Sequence, residues 1–220
     1  MTDTILLHEL VSHAAHRTPD ALALTDGKKS LSYAALQAAV SGFSNGLLSL
    51  GLQRGERVAI YLEKRFETVV ASFGAPAAGG VFVPLNPLLK PEQVGYILRD
   101  CNVRVLVTSP ERLALLQETL PACHDLRHVV VLDSDKPPPT LGGLNVVGWR
   151  EFLDAPPAPA HRVIDTDMLG ILYTSGSTGK PKGVVLSHRN MVAGAKSVAS
   201  YLGNHPGDTL LAALPLSFDA

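Results

Sequence analysis

The chain has 220 residues, a formal net charge of -1, 46% hydrophobic and 18% charged residues, which describes an ordinary globular protein without the basic excess that nucleic acid or an anionic membrane would demand. Its two cysteines, Cys101 and Cys123, cannot build a disulfide framework or a metal cluster. No apolar run reaches the ~18 residues of a spanning helix, and Met1-Thr2-Asp3-Thr4 carries neither a basic region nor a cleavage site, so the expected location is cytoplasmic.

From Ile5 to Arg17, Leu6, Leu10 and Ala14 recur at helical spacing, and Thr18-Pro19-Asp20 supplies the stop. Ala21 to Thr25 reads as a strand and Asp26-Gly27 as a turn. Ser32 is a good N-cap for a helix whose apolar face is Leu36, Val40, Phe43, Leu47 and Leu50, with Gly51 as its stop. Arg57 to Leu62 is a strand, Lys64 to about Ala75 a helix, and Val81 to Pro84 the next strand. Pro76 should kink or stop the intervening helix. Pro91 suits the first turn of a helix running to about Asp100, before a strand from Val103 to Thr108. Ser109-Pro110-Glu111 opens a helix to about Leu120, and Arg127 to Leu132 is another strand. Proline then dominates from Asp133 to Leu141 and from Ala155 to Ala160, which reads as stiff surface connection; Pro137-Pro138-Pro139 is read the same way rather than as a polyproline ligand. Ser187 caps a helix from His188 to about Tyr201, and Thr209 to Pro215 reads as a final strand. Alternating short apolar strands and helices predict an α/β fold: a mainly parallel sheet, buried on both faces and flanked by helices.

The stretch Tyr173-Thr174-Ser175-Gly176-Ser177-Thr178-Gly179-Lys180-Pro181-Lys182-Gly183 lies between two apolar runs, Met168 to Leu172 and Val184 to Leu186, and so reads as strand, loop, strand. Glycine lets backbone amides turn towards a ligand, hydroxyls donate hydrogen bonds, and lysine adds positive charge. These are the parts that hold a polyphosphate. The loop is not a Walker phosphate loop. Thr174 stands where the first glycine would be, and Pro181 follows Lys180 where a magnesium-binding hydroxyl would be. A plain structural hairpin would need only two to five loop residues.

Together these segments resemble the adenylate-forming (AMP-binding) enzymes, the family of acyl-CoA synthetases, luciferases and peptide-synthetase adenylation domains. The resemblance is carried by Tyr173 to Asn190, by Leu31 to Leu36 with Gly51 to Ile60, and by Gly79 to Pro87 with Tyr96 to Asp100. It implies the N-terminal subdomain of the adenylate-forming fold with a phosphate-binding hairpin. It divides the chain into a first α/β subdomain over 1–164 and, over 165–220, the hairpin and the start of the next part. Lys180 is the expected catalytic residue. Thr174, Ser175, Gly176, Ser177, Thr178, Gly179, Lys180 and Lys182 are the expected nucleotide-phosphate ligands. For Lys182, phosphate steering and simple solvent exposure stand equal.

The resemblance further implies ATP with Mg2+, and coenzyme A as co-substrate of an acid–thiol ligase, with a small carboxylic acid as the activated partner, no nucleic-acid partner, and room for a homodimer. The leading expectation is the N-terminal part of an AMP-forming acyl-CoA ligase, of the kind that serves fatty acid metabolism. One alternative is an amino-acid-activating adenylation domain that serves a carrier protein. It rests on Ser217-Phe218-Asp219, which resembles the segment that offers an aspartate to a substrate ammonium group and makes Phe218 and Asp219 candidate substrate residues. A non-catalytic nucleotide- or phosphate-binding module is the other. Because family members are longer, 220 residues alone are expected to be inactive, with acidic Mg2+ ligands and the adenine, ribose and acyl sites lying beyond Ala220. No metal site is expected among the eight histidines: His13 and His16 at most share a helix face, His188 reads as a capping or packing residue, and Cys101 as a buried or capping one.

Overall fold

Helix starts follow the side chains that can satisfy free amides. A computed structural model describes residues 4–132, 141–174 and 180–217. Helix α1 (Glu9–Arg17) opens where the Glu9 carboxylate accepts the Ile5 and Leu6 N–H groups. A small hairpin follows, β1 (Leu22–Asp26) and β2 (Lys29–Ser32), turning at Gly27 with φ +58°, a left-handed conformation that glycine adopts without strain. Ser32 accepts the Ala35 N–H and starts α2 (Tyr33–Ser49).

The main sheet begins at β3 (Arg57–Tyr61) and continues through α3 (Phe66–Ala77) to β4 (Val81–Pro84). Pro76 sits in the last turn of α3, which stops one residue later. Next come α4 (Pro91–Asp100), β5 (Val103–Thr108) and α5 (Pro110–Leu116). Proline occupies the first turn of both helices, where its missing N–H costs nothing. Helix α5 stops short of the expected Leu120; a 3-10 turn at Leu120–Ala122 takes its place before β6 (His128–Val131).

Two elements have no counterpart in the sequence-based reading: β7 (Asn145–Gly148) and α6 (Trp149–Leu153). The chain then enters β8 (Met168–Thr174), β9 (Lys182–Ser187) and α7 (His188–Leu202). The expected final strand over Thr209–Pro215 does not form: these residues are irregular and carry no ladder. A strand exists only by pairing, and no neighbouring strand lies beside this one among the described residues.

The seven-stranded sheet has the order β7-β6-β5-β3-β4-β8-β9. Every neighbouring pair is parallel except β8 with β9, as the predominantly parallel α/β reading requires. Helices cover both faces. On one, Val58, Ile60 and Val107 pack with Phe43, Val70 and Phe152 from α2, α3 and α6. On the other, Ala59, Tyr61 and Leu106 pack with Ile97 and Leu113 from α4 and α5. The connection leaving β3 therefore goes to one face while that leaving β5 goes to the other. This divergence between adjacent strands is where open α/β sheets leave a crevice. The missed helix α6 anchors the first core: Phe43 meets Phe152 at 5.1 Å and Trp149 at 5.5 Å between ring centroids.

Candidate functional site

Strands β8 and β9 form the expected hairpin. They pair from Gly170 opposite Leu186 to Thr174 opposite Lys182. Ser175, Gly176, Ser177, Thr178 and Gly179 lie outside the described residues, as do Phe218 and Asp219. The remaining expected ligands, Thr174, Lys180 and Lys182, are at or next to the strand ends that flank the turn. Thr174 ends one strand, half-buried, and Lys182 starts the other directly opposite it. Lys180 lies just ahead of Lys182, and both lysines are exposed. Any positive charge that the described part of this turn offers comes from lysine side chains rather than from a helix dipole.

The foot of the hairpin is clamped on two sides. Arg54 grips Asp167 with two nitrogens, Nη2 to Oδ1 at 2.6 Å and Nε to Oδ2 at 3.1 Å. Arg189, in the first turn of α7, donates from Nε to Asp165 Oδ2 at 2.7 Å and from its backbone N–H to the Asp165 carbonyl at 2.8 Å. The guanidinium partners hold both carboxyls below the usual aspartate range. No local pattern links Arg54 to Asp167; they meet because β3, which follows Arg54 in the chain, lies beside β4, and β4 lies beside β8, which follows Asp167.

His188 sits at the β9–α7 junction, 1% exposed, with the Leu7 N–H donating to its Nδ1 at 3.0 Å. Its neutral ring therefore carries the proton on Nε2. Burial, reinforced by the nearby His8 ring at 5.8 Å, pushes its pKa down to about 4. It is a packing histidine, as expected, that ties the N-terminal arm to the hairpin. Cys101 is likewise buried, its thiol pushed up to about 11 by desolvation, which leaves it a poor nucleophile.

A second feature lies at the carboxyl ends of β3 and β4. Ile60, Leu62, Pro84 and Leu85 wall a cavity of about 170 Å³ that Pro215 and Leu216 close from the other side. Lys64 holds this C-terminal segment by donating to the carbonyls of Ala212 and Ala213. The segment leading to Phe218 and Asp219 is thus moored over the edge where the sheet's connections diverge, a position that suits a small ligand. Among the described residues no group of three or more His, Cys, Asp or Glu side chains could hold a metal ion, and no helix is long and apolar enough to cross a membrane.

A family model described as AMP-binding enzyme matches residues 11–220. The chain is similar to tyrocidine synthase 3 of Brevibacillus parabrevis, with 32% identity over 216 residues, covering 97% of this chain and 3% of that protein. It is 30% identical over 198 residues to the 3-hydroxybenzoate--CoA/4-hydroxybenzoate--CoA ligase of Thauera aromatica, covering 89% of this chain and 37% of that one. Among solved structures, VinN in complex with L-aspartate superposes with a TM-score of 0.79 at 28% identity, covering 97% of this chain and 52% of that one. The chain thus spans about half or less of the length of each of these proteins.

Proposed function

The chain belongs to the AMP-binding enzyme family, and we propose that it supplies the phosphate-holding part of an ATP-dependent ligase that activates a carboxylic acid as its acyl-adenylate. A substrate carboxylate oxygen attacks the α-phosphorus of ATP. The bond from that phosphorus to the bridging oxygen breaks, and pyrophosphate leaves with the added negative charge. The single observation that carries this reading is the hairpin end, where Thr174 pairs opposite Lys182 and Lys180, two residues before Lys182, is exposed. Lys180 and Lys182 neutralise the departing charge, Thr174 donates to it, and a rim positioned in advance stabilises the transition state more than the bound substrate. Magnesium would neutralise further phosphate charge. It binds chiefly through phosphates with one or two carboxylates, so the described residues fit a role in gripping phosphate rather than in caging the ion.

The acyl group then passes to a thiol, and coenzyme A is the leading acceptor, in line with similarity to a benzoate-type CoA ligase. Similarity to a tyrocidine synthase, and to VinN with its bound L-aspartate, favours a second reading, activation of an amino acid for a carrier-protein thiol. Asp219 would then face the substrate ammonium group.

In the full-length enzyme, exchange of labelled pyrophosphate into ATP, driven in turn by amino acids and by aryl or aliphatic acids, tests the adenylation step and the class of acid. Lys180→Ala is expected to slow exchange about a hundredfold, the scale of removing one transition-state donor. An unchanged rate would overturn the role of Lys180. The acid that drives exchange gives the substrate class, and transfer of the labelled acyl group to coenzyme A or to a carrier-protein thiol decides the acceptor.

A further inference from the structure

Strand β8 contains a bulge whose effect reaches the phosphate rim. Its register with β9 slips between Met168 and Gly170. Leu169 accordingly packs into the α3-side core, whereas Ile171, two residues on, packs into the α4-side core together with Tyr173. Two residues apart on a regular strand would share a face; the one-residue slip reverses that. Tyr173, immediately before Thr174, is thereby aimed at α4. There its phenol donates to Asp100 Oδ2 at 2.6 Å.

The cross-strand partner of Tyr173 is Gly183. A Cβ at Gly183 would stand 3.3 Å from Tyr173 Cζ and 2.7 Å from Ile171 Cγ2, so the glycine is the seat on which the ring lies. The far end of the contact is also well held. Arg57, on the central strand β3, donates to the carbonyls of Cys101 and Asn102 just past Asp100. Asn102 turns through a left-handed conformation with φ 51° that closes the end of α4. Tyr96, one helical turn before Asp100, brings a second phenol to the same carboxylate. Burial first and the Asp100 hydrogen bond second push the Tyr173 phenol pKa up, so it remains a donor.

We propose that Tyr173 and Asp100 are positioning residues for phosphate binding: their hydrogen bond fixes the end of β8, and with it the orientation of Thr174 against Lys182 and Lys180. This rests on the phosphate-holding reading of the hairpin. Neither residue touches phosphate; the contact removes freedom from the strand end that does, so the ordering is in place before the ligand arrives.

The test is calorimetric titration of magnesium pyrophosphate into wild type and the Tyr173→Phe, Asp100→Ala, double and Lys180→Ala variants, with urea unfolding of each. Tyr173→Phe and Asp100→Ala are each expected to weaken binding about fivefold, the scale of one partly exposed hydrogen bond. The double variant should be no weaker than either single one. Asp100→Asn keeps an acceptor and should retain most of the affinity. Urea midpoints that fall while the dissociation constant stays at the wild-type value would reduce the contact to stability alone and overturn the proposal. If Lys180→Ala loses binding while Tyr173→Phe keeps it, this inference fails and the hairpin reading stands. If wild type does not bind, or Lys180→Ala binds as wild type does, the hairpin reading itself fails and takes this inference with it.

Discussion

Replacing His188 with asparagine should flatten the acid limb of the stability curve. The buried ring titrates near 4, against an ordinary value of 6.5. Between those values the unfolded chain takes up a proton at this position that the folded chain refuses. Stability therefore falls with falling pH from about 6.5 to about 4, and above 6.5 the group contributes nothing to the slope because it is neutral in both states. At about 1.4 kcal/mol per pH unit, the full penalty approaches about 3 kcal/mol, and at pH 5 it is about 2 kcal/mol. His188→Asn keeps an oxygen that can accept the Leu7 N–H but cannot take a proton in this range. The variant is expected to be about 2 kcal/mol less stable at pH 7 through lost packing, yet to lose less between pH 7 and pH 5. Urea unfolding reads this directly. With a slope of about 2 kcal/mol per molar, the wild-type midpoint should fall about 1 M further than that of the variant over the same interval. Asp165, Asp167 and His8 are present in both proteins, so most of their own pH dependence cancels in the comparison. Parallel midpoint curves would refute the argument, because they would mean that burial of this ring does not exclude its charged form.

Two further outcomes concern the core. Phe152, 2% exposed and edge-on to Phe43, anchors a helix that periodicity did not reveal. Phe152→Ala should lower stability by about 3 to 5 kcal/mol in urea unfolding, and a loss below about 1 kcal/mol would mean that α6 does not hold this face of the sheet. Cys101, with its thiol near 11, should stay unmodified by a thiol reagent at pH 8 in the folded protein and react on addition of denaturant; rapid labelling of the native state at Cys101 would contradict its burial.

Much of the architecture was legible from residues that act on their immediate neighbours. Ser32 and Ser109 accept N–H groups three residues on, and Pro91 and Pro110 occupy first turns where they lose no hydrogen bond. The branched apolar runs of β3, β5 and β6 required a sheet covered on both faces. The polar run between two apolar ones required a hairpin, and β8 and β9 pair antiparallel on either side of it. What failed was short or depended on a partner. Strand β7 has four residues and α6 five, too few for either period to show. Thr209 to Pro215 has a strand's composition but no neighbour to pair with among the described residues.

The amino-acid sequence alone determined the α/β class, most helix starts and the hairpin between β8 and β9, because caps, first-turn prolines and alternations of polar and apolar runs act within a few residues of themselves. Only the tertiary structure decided that a slipped register turns Tyr173 towards Asp100, that Arg54 reaches Asp167, and that His188 is sealed beneath Leu7. Those contacts join positions far apart in the chain. Their energies depend on which strands lie side by side and which side chains lose water, and neither is written in any local pattern.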